Sequence, residues 1–207
     1  MKYFYLVRHG EKQAKSGDTP LSPAGKRQAK LTAKYLSQFP VKAIFSSPLE
    51  RTKQTAAEIG KYFKIPVSPT PLLRERVNWG DDPGQSFENF LSMWRQASAN
   101  RNWQPPVGDS SFQAGKRLMF LMDSLLPHPA EHIVLVTHGG IITDFLRNLF
   151  DESYLNNHIP NFSSTLDENI KDCSITILEK DETEKLKLAA LAFTGHLIKN
   201  NCFNHKI

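Results

Sequence analysis

The chain has 207 residues, 40% hydrophobic and 23% charged, the balance of an ordinary globular protein with enough length for a sizeable core. No apolar run approaches the roughly 20 residues of a membrane span, and Tyr3–Val7 is too short for a signal-peptide core, so the expected location is the cytoplasm, with no membrane partner. The net charge of +5 fits an anionic substrate, while lysines scattered from Lys12 to Lys34 without interleaved aromatics argue against specific nucleic-acid binding.

Tyr3-Phe4-Tyr5-Leu6-Val7 reads as a short buried strand that runs directly into Arg8-His9-Gly10. Ser22-Pro23 is an N-cap followed by Pro at the first helical position, and predicts a helix over 23–38. Val41 to Phe45 is the next strand, followed by a helix from the Ser46-Ser47-Pro48 turn to about Phe63. Ile65 to Val67 is a brief third strand. The stretch 69–108 is rich in Pro and Trp and reads as an insertion over the strand ends, with one helix at 86–99.

A further helix spans about 110–126, and His132 to Thr137 is the cleanest buried strand. It ends in His138-Gly139-Gly140 and passes into a helix over 141–150. Strands at 174–179 and 186–193 follow. Alternating strands and helices predict one α/β domain over 1–207, a three-layer α/β/α sandwich with a mostly parallel sheet. Cys173 falls in an apolar run and reads as a buried small side chain, Cys202 lies in a polar tail, and no metal-ligand spacing links them. A disulfide between them is not expected in a reducing compartment.

Parallel strands present their C-terminal ends on one edge, where open α/β sheets bind ligands. Strand, His, Gly and helix occur in that order twice, at His9 and at His138. Arg8 offers a forked, permanent cation suited to phosphate, and a neutral His9 offers a nitrogen able to attack phosphorus. Arg51, in the first turn of a helix, opposes the helix dipole unless it serves an anion; pairing with Glu50 or Glu58 at the surface is the other reading. Glu75 is the best candidate proton donor, with Glu11, Asp81 and Asp82 behind it, although a carboxylate between Arg74 and Arg76 reads on its own rather as a charged surface cluster. Phe87, Trp79, Trp94 and Trp103 could line a pocket above the phosphate or simply pack the insertion onto the sheet.

Several of these strings resemble the histidine phosphatase superfamily, the phosphoglycerate-mutase-like enzymes. They are Arg8-His9-Gly10, the Ser46-to-Ala56 string that is similar to SSPLxRxxQTA, Leu73-to-Gly80 with Glu75, and His138-Gly139. Asp18 to Ala29, Asp172 to Thr176 and Thr194 to Leu197 extend the similarity as scaffold segments, with Asp172 where the family more usually has Asn. The resemblance implies a phosphohistidine on His9, with Arg8, Arg51, His138 and the Gly139 amide holding the phosphoryl oxygens. Glu75 would act as general acid and base. It implies no metal and no other cofactor. His128, His132, His158, His196 and His205 are assigned no catalytic part.

The function expected is hydrolysis of a small phosphomonoester, with a phosphoprotein as the other substrate class. Three alternatives stay open. A phosphoglycerate mutase shares the site, although Glu11 is followed here by Lys12-Gln13-Ala14 rather than the mutase pattern. A metal hydrolase would use His9 and His138 as ligands, without an HxH or HExxH motif. A non-catalytic module would bind phosphate without turning it over. Oligomeric state is not legible.

Overall fold

The structure is a computed structural model that describes residues 1–162, 169–180 and 186–198; Cys202 and His205 lie outside them. One six-stranded sheet carries the fold, in the order β3-β2-β4-β1-β5-β6. Its strands are β1 (Lys2–Arg8), β2 (Ala43–Ser46), β3 (Val67–Pro69), β4 (His132–Thr137), β5 (Ile175–Lys180) and β6 (Leu186–Phe193). β3, β2, β4 and β1 pair in parallel, whereas β5 and β6 add an antiparallel edge. The late strands therefore form a hairpin-like pair and break the strand–helix alternation.

Period-two alternation of the central strands divides the core in two. Phe4, Leu6, Ile133 and Leu135 face one side, against Leu118 and Leu121 of α4 (Ser111–Ser124) and Ile142 and Phe145 of α5 (Gly139–Leu149). Tyr5, Val7, Val134 and Val136 face the other, against Ala33 and Leu36 of α1 (Pro23–Leu36) and Ala56 and Ile59 of α2 (Glu50–Phe63). This is the three-layer sandwich expected. α3 (Phe87–Ala99) lies in the 69–108 segment.

Helix starts follow local chemistry. Ser22, Ser86 and Ser110 cap α1, α3 and α4 through hydroxyls that accept from backbone amides. At α2 the capping residue is Leu49, which has no side-chain acceptor, and Asp18 reaches over to accept from the Glu50 amide at 2.7 Å. α6 (Glu152–His158), absent from the sequence reading, is capped by Asp151, whose carboxylate accepts from Tyr154 N at 2.7 Å. β3 begins two residues later than expected because α2 ends in a left-handed Lys64 (φ 56°) and Ile65 N donates back to Gly60 O. β2 starts at Ala43, so Val41 and Lys42 belong to its approach, and α5 starts at Gly139, earlier than the hydrophobic periodicity indicated.

Candidate active site

Register brings the two histidines together. β1 and β4 run parallel with Arg8 opposite Thr137, so the next residues, His9 and His138, leave the same edge side by side. Their rings are 5.1 Å apart, edge to face. β2 stops one strand over, where Ser47 N donates to Val136 O at 3.0 Å, and the turn into α2 delivers Arg51. Gly10 is needed for this packing, since a Cβ there would stand 2.7 Å from Gly25 O at the start of α1. The backbone around His9 is further held by Cys173 N, which donates to His9 O at 3.1 Å.

Hydrogen bonds settle both tautomers. A carbonyl can only accept, so the contact between His9 Nδ1 and Gly10 O at 2.8 Å places the ring proton on Nδ1. His9 Nε2 then carries a lone pair, which accepts from Arg51 Nε at 3.1 Å. Arg51 Nη2 likewise donates to His138 Nδ1 at 3.2 Å, leaving the His138 proton on Nε2, directed at Ser47 Oγ at 2.9 Å. Burial, then the Arg51 and Arg8 charges, hold His9 well below the ordinary imidazole value; burial, Arg51 and the neighbouring His9 do the same to His138. Burial is thus the larger cause in both, ahead of the neighbouring charges.

Arg51 is 3% exposed, so the surface-pair reading of it is wrong. Glu50 pairs with Lys53, and Glu58 with Lys61. Arg51 Nη1 is buried without a protein hydrogen-bond partner, an arrangement that fits an anion beside His9. Arg8 is oriented by Asp172, at 2.9 Å, and by the Ile170 carbonyl. Its guanidinium lies across Gly139, where a Cβ would come within 3.2 Å of Nη1. Polar residues of the scaffold strings brace this edge: Gln28 accepts from Glu11 N at 2.8 Å and Gln54 from Leu21 N at 2.9 Å.

Glu75 reaches the site from the loop after β3. His138 sits at the N-cap of α5 without capping it, and Glu75 does so instead. Its carboxylate accepts from Gly140 N at 2.9 Å, Ile141 N at 2.8 Å and Arg76 N at 3.0 Å. Gly140 must be bare, because a Cβ would lie 2.6 Å from Glu75 Oε1 and from the Trp94 ring. The other acids stand apart: Glu11 accepts from the Ser22 hydroxyl, Asp81 accepts from Asn78 N and pairs with Arg74, and Asp82 is outside the cavity lining.

Beside Glu75, Arg76 points inward as a brace. It pairs with Asp144 of α5 at 3.1 Å, donates to Ser111 Oγ at 2.6 Å and to Ser98 Oγ, and stacks 3.6 Å over the Trp94 ring. Burial pushes the Asp144 carboxyl up to about 7, against the opposing pull of Arg76. This buried pair carried no signal in the sequence beyond one charge in a charged triplet.

A cavity of about 210 Å³ opens over Arg8, His9, Arg51, Glu75 and Gly139. Trp79, Phe87 and Trp94 line it as the pocket reading expected, joined by Phe90 and Leu91, which the sequence reading missed; Trp103 does not line it. Phe90 and Leu91 fall three and four residues after Phe87, a helical spacing that could have found them. The other histidines among the described residues do structural work: His196 bonds Thr32, His132 bonds Tyr5, His128 accepts from Ala130 N, and His158 lies on the surface against Tyr154. Cys173 is fully buried, and burial pushes its thiol up to about 12. Among the described residues there is no cluster of three or more His, Cys, Asp or Glu that could hold a metal, and no helix long and apolar enough to cross a membrane.

Residues 4–189 match the family model of the histidine phosphatase superfamily, branch 1. The probable phosphoglycerate mutase GpmB of Yersinia enterocolitica is 35% identical over 163 residues, 72% of this chain and 75% of that protein. Among solved structures, YhfR of Bacillus stearothermophilus superposes with a TM-score of 0.73 at 23% identity, over 96% of this chain and 100% of the other. A mycobacterial glucosyl-3-phosphoglycerate phosphatase gives 0.73 at 22% identity, over 94% and 100%. The structural likenesses establish the fold; the sequence matches carry the kinship.

Proposed function

The chain belongs to the histidine phosphatase superfamily, and from that membership and the geometry of the pocket we propose that it hydrolyses phosphomonoesters through a phosphohistidine on His9. The observation that carries this is the unprotonated Nε2 of His9, fixed by the Nδ1 contact to Gly10 O and flanked by two guanidinium groups at the floor of a cavity. Arg8, Arg51 and the Gly139 amide hold the nonbridging oxygens, and His138 joins them once its proton shifts to Nδ1 and Ser47 Oγ turns to donate to Nε2. Nε2 forms a bond to phosphorus as the bond to the leaving oxygen breaks, and Glu75 gives that oxygen its proton. Glu75 then takes a proton from water, the water oxygen attacks phosphorus, and the P–N bond breaks to release phosphate and neutral His9. The arginines supply the charge neutralisation, so no step runs through a metal or another cofactor. The substrate is a small phosphomonoester, and the site of action is the cytoplasm.

Mutase chemistry is the second reading, favoured by the mutase name of a relative that is 35% identical to this chain over 163 residues. Against it, a mutase substrate carries a second anionic group, and Lys12 is the one cation besides Arg8 and Arg51 among the described residues lining the cavity. The test is turnover of phenyl phosphate by the wild type and by His9→Ala, each with and without excess chelator. Chelator-resistant hydrolysis that vanishes in His9→Ala supports the proposal. Loss to chelator overturns it in favour of metal chemistry. No hydrolysis by folded protein overturns it too, and interconversion of phosphoglycerates would then separate a mutase from a phosphate-binding module.

A further inference from the structure

α3 departs from the usual economy of an amphipathic helix. Phe87, Phe90, Leu91 and Trp94 form a stripe at i, i+3, i+4 and i+7, the pattern of a face packed onto a core. None of the four is fully buried and none joins a core cluster of the sheet; the buried residues of the helix are Ala97 and Ser98, at its far end. Phe87 is 49% exposed. The stripe faces the cavity over Arg8 and His9, where the rings form a chain: Trp79 to Phe87 at 4.7 Å, Phe87 to Phe90 at 6.3 Å and Phe90 to Trp94 at 5.8 Å.

A contiguous apolar wall left open to water is costly unless something covers it. Continuity with the phosphoryl pocket names the occupant, because the part of a phosphomonoester that stands over the stripe is its leaving group. Polar groups able to read that leaving group are few. They are Lys12, which gives one of its three protons to Lys15 O at 3.2 Å, and the Asn78 amide, which donates to Trp79 O at 3.1 Å; the rest of the wall beyond the phosphoryl pocket is ring and aliphatic carbon. We infer that the α3 stripe and Trp79 form a leaving-group subsite for an uncharged, apolar, ring-bearing alcohol, and that such phosphomonoesters are the substrate class. The inference rests on the hydrolase reading for its turnover but not for its binding.

The matched pair 2-phenylethyl phosphate and ethyl phosphate tests it, since their leaving alkoxides differ little in basicity and mainly the ring differs. The wild type is expected to show kcat/KM at least about tenfold higher for the phenylethyl ester, the scale of burying one aromatic ring. Phe87→Ala, at a half-exposed position that the fold does not depend on, lowers that ratio. Calorimetric binding of the non-hydrolysable 2-phenylethylphosphonate should likewise be about tenfold tighter than that of ethylphosphonate. Equal affinities for the two phosphonates, or a ratio unmoved in Phe87→Ala, overturn the subsite. Ring-dependent phosphonate binding without turnover of either ester keeps the subsite and overturns the hydrolase reading instead.

Discussion

Replacing Arg76 by Met removes the inward brace beside Glu75 and leaves its partner stranded. The Arg76 and Asp144 side chains are 2% and 1% exposed, so the Asp144 carboxylate would face the core without its chief counter-charge. Breaking a buried pair from one side costs about 3–5 kcal/mol, and here the hydroxyls of Ser98 and Ser111 lose a donor as well. For a chain of this size that is a fall in Tm of roughly 6–20 °C. The penalty should depend on pH. Asp144 already sits at about 7 in the folded protein, above its unfolded value near ~3.9. The folded state therefore holds that proton more tightly, and the contribution of Asp144 to stability falls as pH rises between those values. Without Arg76 the carboxyl moves higher still, so Arg76→Met should be most damaging near pH 8 and much milder near pH 5, where Asp144 is neutral. Urea denaturation at both pH values measures this, with Arg76→Met/Asp144→Leu as the companion variant that should recover at least half of the loss. A cost below about 1 kcal/mol near pH 8, a cost independent of pH, or a double variant no better than the single one would refute the reasoning.

Gly140→Ala should lower kcat by about 10- to 100-fold and lower Tm as well, because the new methyl displaces the Glu75 carboxylate that caps α5 and crowds the Trp94 ring; an unchanged kcat in steady-state assays would contradict this. Asp18→Ala should cost about 1 kcal/mol through the lost cap of α2 and raise KM by loosening the turn that carries Arg51, read by denaturation and kinetics together. Asp172→Asn removes a negative charge that holds Arg8, so inorganic phosphate should inhibit several-fold more strongly, as measured by its inhibition constant. The depressed His9 value keeps its Nε2 unprotonated below about pH 6.5, so nitrogen NMR of the free protein should show a neutral Nδ1–H ring there; a titration midpoint at the ordinary imidazole position would contradict the burial argument.

The strand-end groups were legible because their chemistry is coupled to local pattern. Arg8, His9 and His138 follow apolar runs that could only be buried strands, and Arg51 stands where a helix start disfavours a cation. Glu75 was legible through family resemblance alone, since its anchor is the amide end of α5, some 65 residues further along the chain. Arg76 and Asp144 were hidden for the same reason: charge in a sequence reads as surface until a partner distant in the chain is known. The α3 stripe illustrates a different limit, in that periodicity reports which residues share a face but not what that face meets. The weakly patterned α6 depends on one Asp151 cap, and β3 slipped because Ile65 looks like a strand residue while serving a helix-ending turn.

The pairing of Arg8 with Thr137 has a consequence for how this chain tolerates changes in length. Adding or deleting one residue within β1 or β4 would reverse the faces of every side chain beyond it and carry one imidazole out of reach of Arg51. The exposed Pro83–Gly84 tip, where a Cβ built on Gly84 meets nothing within 4 Å, has no such coupling. A library of single-residue insertions should therefore divide sharply, with abolished function along two strands of the sheet and near-normal function at that tip, although the tip lies in the same segment that carries Glu75 into place.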